Sequence, residues 1–80
     1  MIEDLKILET ELKLRGYTQA TIQAYLAHNG NFLFFAKKQP GQIEERDIKS
    51  YLAHLISDRH SRPASVNLVL SSLRFYYETV

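Results

Sequence analysis

The sequence predicts an all-α protein, a bundle of four helices joined by short connections. Glycine and proline, the usual residues of tight turns, number only three and two in 80 residues, few for a protein with many strands. Apolar residues instead recur every three or four positions, the spacing of one helix face. Nine aromatic residues, five Tyr and four Phe, supply the bulk that a small domain needs to fill its core. The length allows one domain, and 45% apolar with 24% charged residues is ordinary globular usage, so the chain should fold.

The first helix is expected over 2–15, with Leu5, Leu8, Leu12 and Ile2 inward and Glu3, Glu9, Glu11 and Lys13 on the other side. Gly16 suits a left-handed cap at its end. Thr18 reads as the N-cap of a second helix over 18–38, with Tyr17 placed to staple against Ile22. Its apolar face is Ile22, Tyr25, Leu26, Phe32, Leu33 and Ala36; Asn29-Gly30 is a weak point in mid-helix. A loop with Pro40 and Gly41 follows, in which Ile43 plugs the core. The third helix, 46–57, turns Ile48, Tyr51, Leu52, Leu55 and Ile56 inward, with Glu44, Glu45 and Asp47 at its positive end. The fourth, 62–80, has Ser61 as the candidate N-cap, Pro63 in its first turn, and an inward stripe of Val66, Val69, Leu70, Leu73, Tyr76 and Tyr77. The chain stops at Val80 with no Gly, Pro or polar tail, which reads as the edge of a longer protein.

Composition narrows the function classes. The absence of cysteine excludes a disulfide scaffold, a thiolate nucleophile and a Cys-based zinc site, and fits a reducing compartment. No apolar run approaches the ~20 residues of a membrane span, and no signal-peptide pattern opens the chain. The expected location is therefore cytoplasmic. His54 and Asp58 are four apart on one helix, with His60 nearby; no further ligand at metal-site spacing accompanies them, so they read as a surface pair and no metal is expected. There is no glycine-rich phosphate loop, and no cofactor is expected. Tyr25, Tyr51, Tyr76 and Tyr77 belong to core stripes, without the cationic cluster that would make a tyrosine a nucleophile toward phosphate. The chain is not expected to be an enzyme by itself.

The formal charge is +1 overall, but it is unevenly divided. Residues 1–16 and 44–58 are net negative, whereas 17–43 and 59–80 are net positive. The two even helices are thus basic, and both carry outward faces of small or uncharged polar residues. On the second these are Gln19, Gln23, Ala24, Ala27, His28 and Asn31; on the fourth, Ala64, Ser65, Leu68, Ser71, Ser72 and Phe75. Such faces let a helix approach another surface closely. In a DNA groove, Gln and Ser reach base edges or phosphates while Ala and Leu touch thymine methyls.

Three stretches resemble one family in order and spacing. Gly16-Tyr17-Thr18-Gln19-Ala20-Thr21-Ile22-Gln23-Ala24-Tyr25 is similar to the start of the second helix in the N-terminal core-binding domain of tyrosine recombinases, the phage integrases and Xer-like proteins. Asp47-Ile48 with Tyr51-Leu52-Ala53-His54-Leu55 resembles its third helix, and Ser65-Val66-Asn67 with Leu70-Ser71-Ser72-Leu73-Arg74-Phe75-Tyr76-Tyr77 its fourth. The resemblance implies a SAM-like orthogonal four-helix bundle that grips one face of a recombination site, while a C-terminal domain absent here carries the catalytic residues. It implies double-stranded DNA and neighbouring protomers as partners, no membrane, and a monomer when isolated. Carried over by position, Thr18, Gln19, Thr21, Gln23, Ala24, Ala27 and His28 would face DNA from the second helix. Arg62, Ser65, Leu68 and Ser71 would do so from the fourth, with Arg74 flanking. Two positions depart from the family pattern: Leu68 stands where Arg or Lys is common, and Asn29 where an apolar residue is common. The second places an amide near the core, where it requires a partner. The competing expectation is a small helical protein-interaction domain, based on near-neutral charge and on Leu68 and Phe75 lying exposed.

Overall fold

A computed structural model describes residues 2–79 and the side chains of residues 5–78. The expected inward placement of Ile2 lies outside the described side chains. Four helices are present, α1 (Ile2–Leu14), α2 (Gln19–Ala36), α3 (Glu45–Ser57) and α4 (Pro63–Thr79), with one 3₁₀ turn, Pro40–Gln42, between α2 and α3. Among the described residues there is no strand. The all-α, four-helix expectation holds, with boundaries within two residues of those read from the sequence.

The local signals act as their chemistry demands. Gly16 closes α1 with φ 79°, and the Tyr17 and Gly16 amides donate to the Leu12 and Lys13 carbonyls at 3.1 and 3.0 Å, the paired bonds of a Schellman cap. Thr18 caps α2, its Oγ1 accepting the Thr21 amide at 3.2 Å, and Tyr17 and Ile22 join the same apolar cluster. The Ile43 plug is half-buried against the core. At the start of α3, Asp47 accepts the Glu44 amide at 2.8 Å and both Asp47 oxygens accept from Lys38 at 3.0 Å. That backbone bond first, and the Lys38 ammonium second, hold the Asp47 carboxyl below its ordinary pKa. Its contribution is therefore full above the unfolded value, near 4, and is lost as pH falls below that toward the folded value. Asp47→Asn is expected to flatten this acid limb in urea melts between pH 5 and 2; an unchanged limb would exclude Asp47 as its source.

The core has two lobes. Leu8 and Leu12 of α1 meet Ile22 and Tyr76 in one, and Phe32, Ile48, Tyr51, Leu55, Val66, Val69 and Leu73 form the other. Tyr77 packs on both. Helix α2 contacts each of the other three. It runs unbroken through Asn29-Gly30, because both residues face neighbours: Gly30 lies opposite Leu5, and Asn29 is fully buried. Tertiary packing outweighs their poor helix propensity. The Asn29 amide nitrogen donates to the Tyr25 carbonyl at 3.0 Å and across to the Ser72 carbonyl of α4 at 3.2 Å. This satisfies its two N–H donors, while Oδ1 is buried without a hydrogen-bond partner among the described residues.

Four positions differ from the sequence expectation. Ser72, assigned to the outward face, is fully buried, with Oγ donating to the Leu68 carbonyl at 3.0 Å; its small side chain sits where α2 and α4 cross. Phe75, also assigned outward, is half-buried between Tyr17 and Tyr25, at ring distances of 5.6 and 5.8 Å. Ile56, assigned inward, is 56% exposed, because it lies about 100° round the helix from Leu55, outside the face that Ile48, Tyr51 and Leu55 bury. Finally, Arg62 rather than Ser61 occupies the cap of α4, its carbonyl accepting the Val66 amide at 3.0 Å. Ser61 is engaged instead in ending α3, its amide bound to the Leu55 carbonyl at 2.9 Å after a left-handed His60.

Candidate nucleic-acid interface

The outward faces of α2 and α4 lie side by side because the two helices pack directly and are tied by Asn29 and Ser72. On α2, positions three and four apart fall on one strip. Thr21, Ala24 and His28 form an inner strip, each half-buried. Gln19, Gln23 and Ala27 form an exposed outer strip. Thr18 is exposed, but its hydroxyl is committed to capping and to a 2.9 Å bond with Thr21 Oγ1. Burial holds the His28 imidazole below its usual pKa, so at neutral pH it presents a neutral donor-acceptor, not a cation.

On α4, Ser65 and Ser71 are exposed and Leu68 is 50% exposed. Ser65 and His28 line one cleft of about 210 Å³ at the α2–α4 seam. Arg62 is exposed and has no carboxylate within ion-pair distance among the described residues. Arg74 is placed differently. It lies nine residues beyond Ser65, half a turn around the helix, and pairs with Glu78 at 3.0 Å and Glu45 of α3 at 3.6 Å. The structure thus brings His28 of α2 and Ser65 of α4 into one cleft, and turns Arg74 toward α3.

Sequence reading missed a second cleft beside this face. Asn31, Phe34, Phe35, Lys37, Tyr51, His54 and Arg59 line an open groove of about 670 Å³ between α2 and the end of α3. Phe34 is 81% exposed at its rim. The signal was present in Phe32-Leu33-Phe34-Phe35, four successive apolar residues, more than one helix face can bury. His54 Nδ1 and Asp58 Oδ2 lie 2.9 Å apart, the surface pair expected. The tyrosines of the core stripes are packed as expected, and burial, led by desolvation, pushes the Tyr25 and Tyr51 hydroxyls above their usual pKa. Among the described residues no three His, Asp or Glu side chains gather as metal ligands, and no helix is long and apolar enough to cross a membrane.

The model of the family described as phage integrase, N-terminal SAM-like domain, matches residues 5–80, and the chain belongs to that family. The SAM-like bundle and the integrase kinship inferred from the three motifs are therefore established, and this domain of integrases is not itself catalytic. No curated protein and no solved structure matches the chain.

Proposed function

We propose that residues 1–80 are a single core-binding module of a site-specific tyrosine recombinase, part of a longer protein whose C-terminal domain performs strand cleavage. The module contacts the recombination site in duplex DNA through α2 and α4, next to other protomers, in the cytoplasm. The observation that carries this reading is the shared seam, where His28 and Ser65 line one cleft with the unpaired Arg62 at the start of α4. Gln19, Gln23 and Ser71 can reach base edges or phosphates, and Ala27 and Leu68 fit thymine methyls. The longest extent of the domain is 35 Å, about one turn of duplex, so one copy suits one face of one half-site. The protein-interaction alternative keeps the near-neutral charge and the half-exposed Leu68 but loses Phe75, which is packed against Tyr17 and Tyr25.

With half of a two-domain grip missing, the isolated module is expected to bind duplex weakly, with Kd on the order of 10⁻⁴–10⁻⁶ M and steep salt dependence. An ¹⁵N–¹H NMR titration with a short duplex tests this. Expected are amide shifts concentrated in Thr18–Asn31 and Arg62–Ser71 that fade as salt rises, in a protein that stays monomeric. An unperturbed spectrum at low salt, or self-association that survives high salt, would favour a protein partner.

A further inference from the structure

We infer that the groove between the second half of α2 and the α3–α4 turn carries a phosphate backbone strand of the same duplex, with Arg59 and Lys37 as its contacts. This extends the α2–α4 footprint and rests on the DNA-binding reading. The groove and the seam cleft share Asn31, Tyr51 and Arg59 in their walls. They therefore adjoin, and together run from Ser65 and His28 to Phe34 and Lys37 as a trough with Arg59 in the wall they share.

Charge selects the occupant. Among the described residues no carboxylate lines either cleft; Asp58 lies beside the first, held by the lining His54 at 2.9 Å. Lys13, Arg15, Lys38, Arg46 and Arg74 each hold a carboxylate within 3.6 Å. Lys37 and Arg59 have none among the described residues, nor do Arg62 and Lys49, which line neither cleft. Cations left without acidic partners along one trough are placed for an anionic polymer, and the trough opens into a face already fitted to DNA. The far end needs Lys37 in particular. The C-terminus of α2 presents partial negative charge from its free carbonyls, which a phosphate would meet unless a cation covers it. The wall between the two cations is rigid: Phe35 stacks on His54 at 4.9 Å and lies 5.1 Å from Tyr51. It offers an apolar surface to sugar rings. Phosphate contacts position without reading sequence, so these residues add affinity and orientation, while the α2–α4 seam supplies discrimination.

The test is a salt titration of duplex binding by fluorescence anisotropy, with the 80-residue chain, two single variants, their combination, and a control altered at the seam. Arg59→Gln removes charge from an exposed side chain. Lys37→Asn is used because Lys37 has φ 56°, a conformation that Asn tolerates and Ala strains. Circular dichroism checks that both variants fold. Each is expected to weaken binding roughly three- to tenfold at low salt and to reduce the slope of log K against log salt by about one. The losses should be equal across duplex sequences, and the double variant should lose about two units of slope. Wild-type affinity and slope in both variants, with binding still lost in a Gln23→Ala, Ser71→Ala variant, would overturn the trough assignment while leaving the seam intact. Absence of duplex binding by the unaltered chain would overturn the DNA reading and this inference together. Tighter capture of single-stranded oligo-dT than of duplex, abolished by Arg59→Gln, would give the trough to an unpaired strand and overturn the inference as stated.

Discussion

Phe32→Ala is expected to remove a large share of the stability of this domain. Phe32 is completely buried, and its ring lies 5.4 Å from Tyr51 of α3 and 6.0 Å from Tyr77 of α4. It therefore joins three helices at the larger lobe. Truncating a buried Phe costs about 3–5 kcal/mol, the sum of lost transfer energy and the cavity left behind. At roughly 0.05–0.15 kcal/mol per residue, a chain of this length has only about 4–12 kcal/mol to lose. Thermal and urea unfolding followed by circular dichroism should show a fall in midpoint of tens of degrees, or no cooperative transition at all. By contrast Phe34→Ala, at the exposed end of the same aromatic run, should change stability by less than about 0.5 kcal/mol. Equal effects at the two positions would contradict the burial pattern.

The second large effect is expected at Asn29, and it carries a pH signature. Both amide hydrogens of Asn29 point at carbonyl oxygens, those of Tyr25 and Ser72, which fixes the amide orientation because only the nitrogen can donate. Its Oδ1 is buried without a hydrogen-bond partner among the described residues. Asn29→Asp places a carboxylate in that site, facing acceptors on one side and no donor on the other. Burial raises the pKa of such a group by several units, and at 1.36 kcal/mol per unit the variant should lose roughly 3 kcal/mol or more at neutral pH. The folded variant holds its proton to higher pH than the unfolded chain, whose Asp ionises near 4. Stability therefore falls as pH rises through the window between the two values. Urea midpoints should drop from pH 5 to pH 7.5 in the variant. In the parent they should rise slightly over the same range as His28, held below its usual pKa by burial, loses its proton; the range avoids the trend from Asp47 below pH 4. Asn29→Leu, which removes the polar group entirely, should be milder. A pH-independent Asn29→Asp would mean that water reaches position 29.

What the sequence disclosed, and what it withheld, divides along a physical line. Caps and turns are local chemistry, so Gly16, Thr18 and the acidic start of α3 were legible from neighbours in the chain. Periodicity disclosed the stripe that each helix turns to its main neighbour, hence Leu8, Leu12, Phe32, Leu33 and Leu73. It fails where a helix has two neighbours. α4 packs on α2 and on α3, and Ser72 at the α2 crossing and Phe75 against Tyr17 and Tyr25 are enclosed although they fall outside its stripe. The interface shows the same limit. The polar strips of α2 and the serines of α4 were visible as faces of single helices. The trough takes side chains from α2, α3 and the turn beyond, and no window of the sequence contains it.

The division of the core into two lobes has a dynamic consequence. The buried side chains of α1, Leu8 and Leu12, belong to the smaller lobe, while α2, α3 and α4 share the larger one. Sub-global opening that releases α1 at the Gly16 corner exposes the smaller lobe and leaves the other three helices interlocked. Local unfolding free energies rise with the apolar contact that must be undone. Amide hydrogens of α1 are therefore expected to exchange through a cheaper, partial opening, and those at the crossing of α2 and α4 only through complete unfolding. The pair of helices proposed to meet DNA is then also the last part of the domain to come apart.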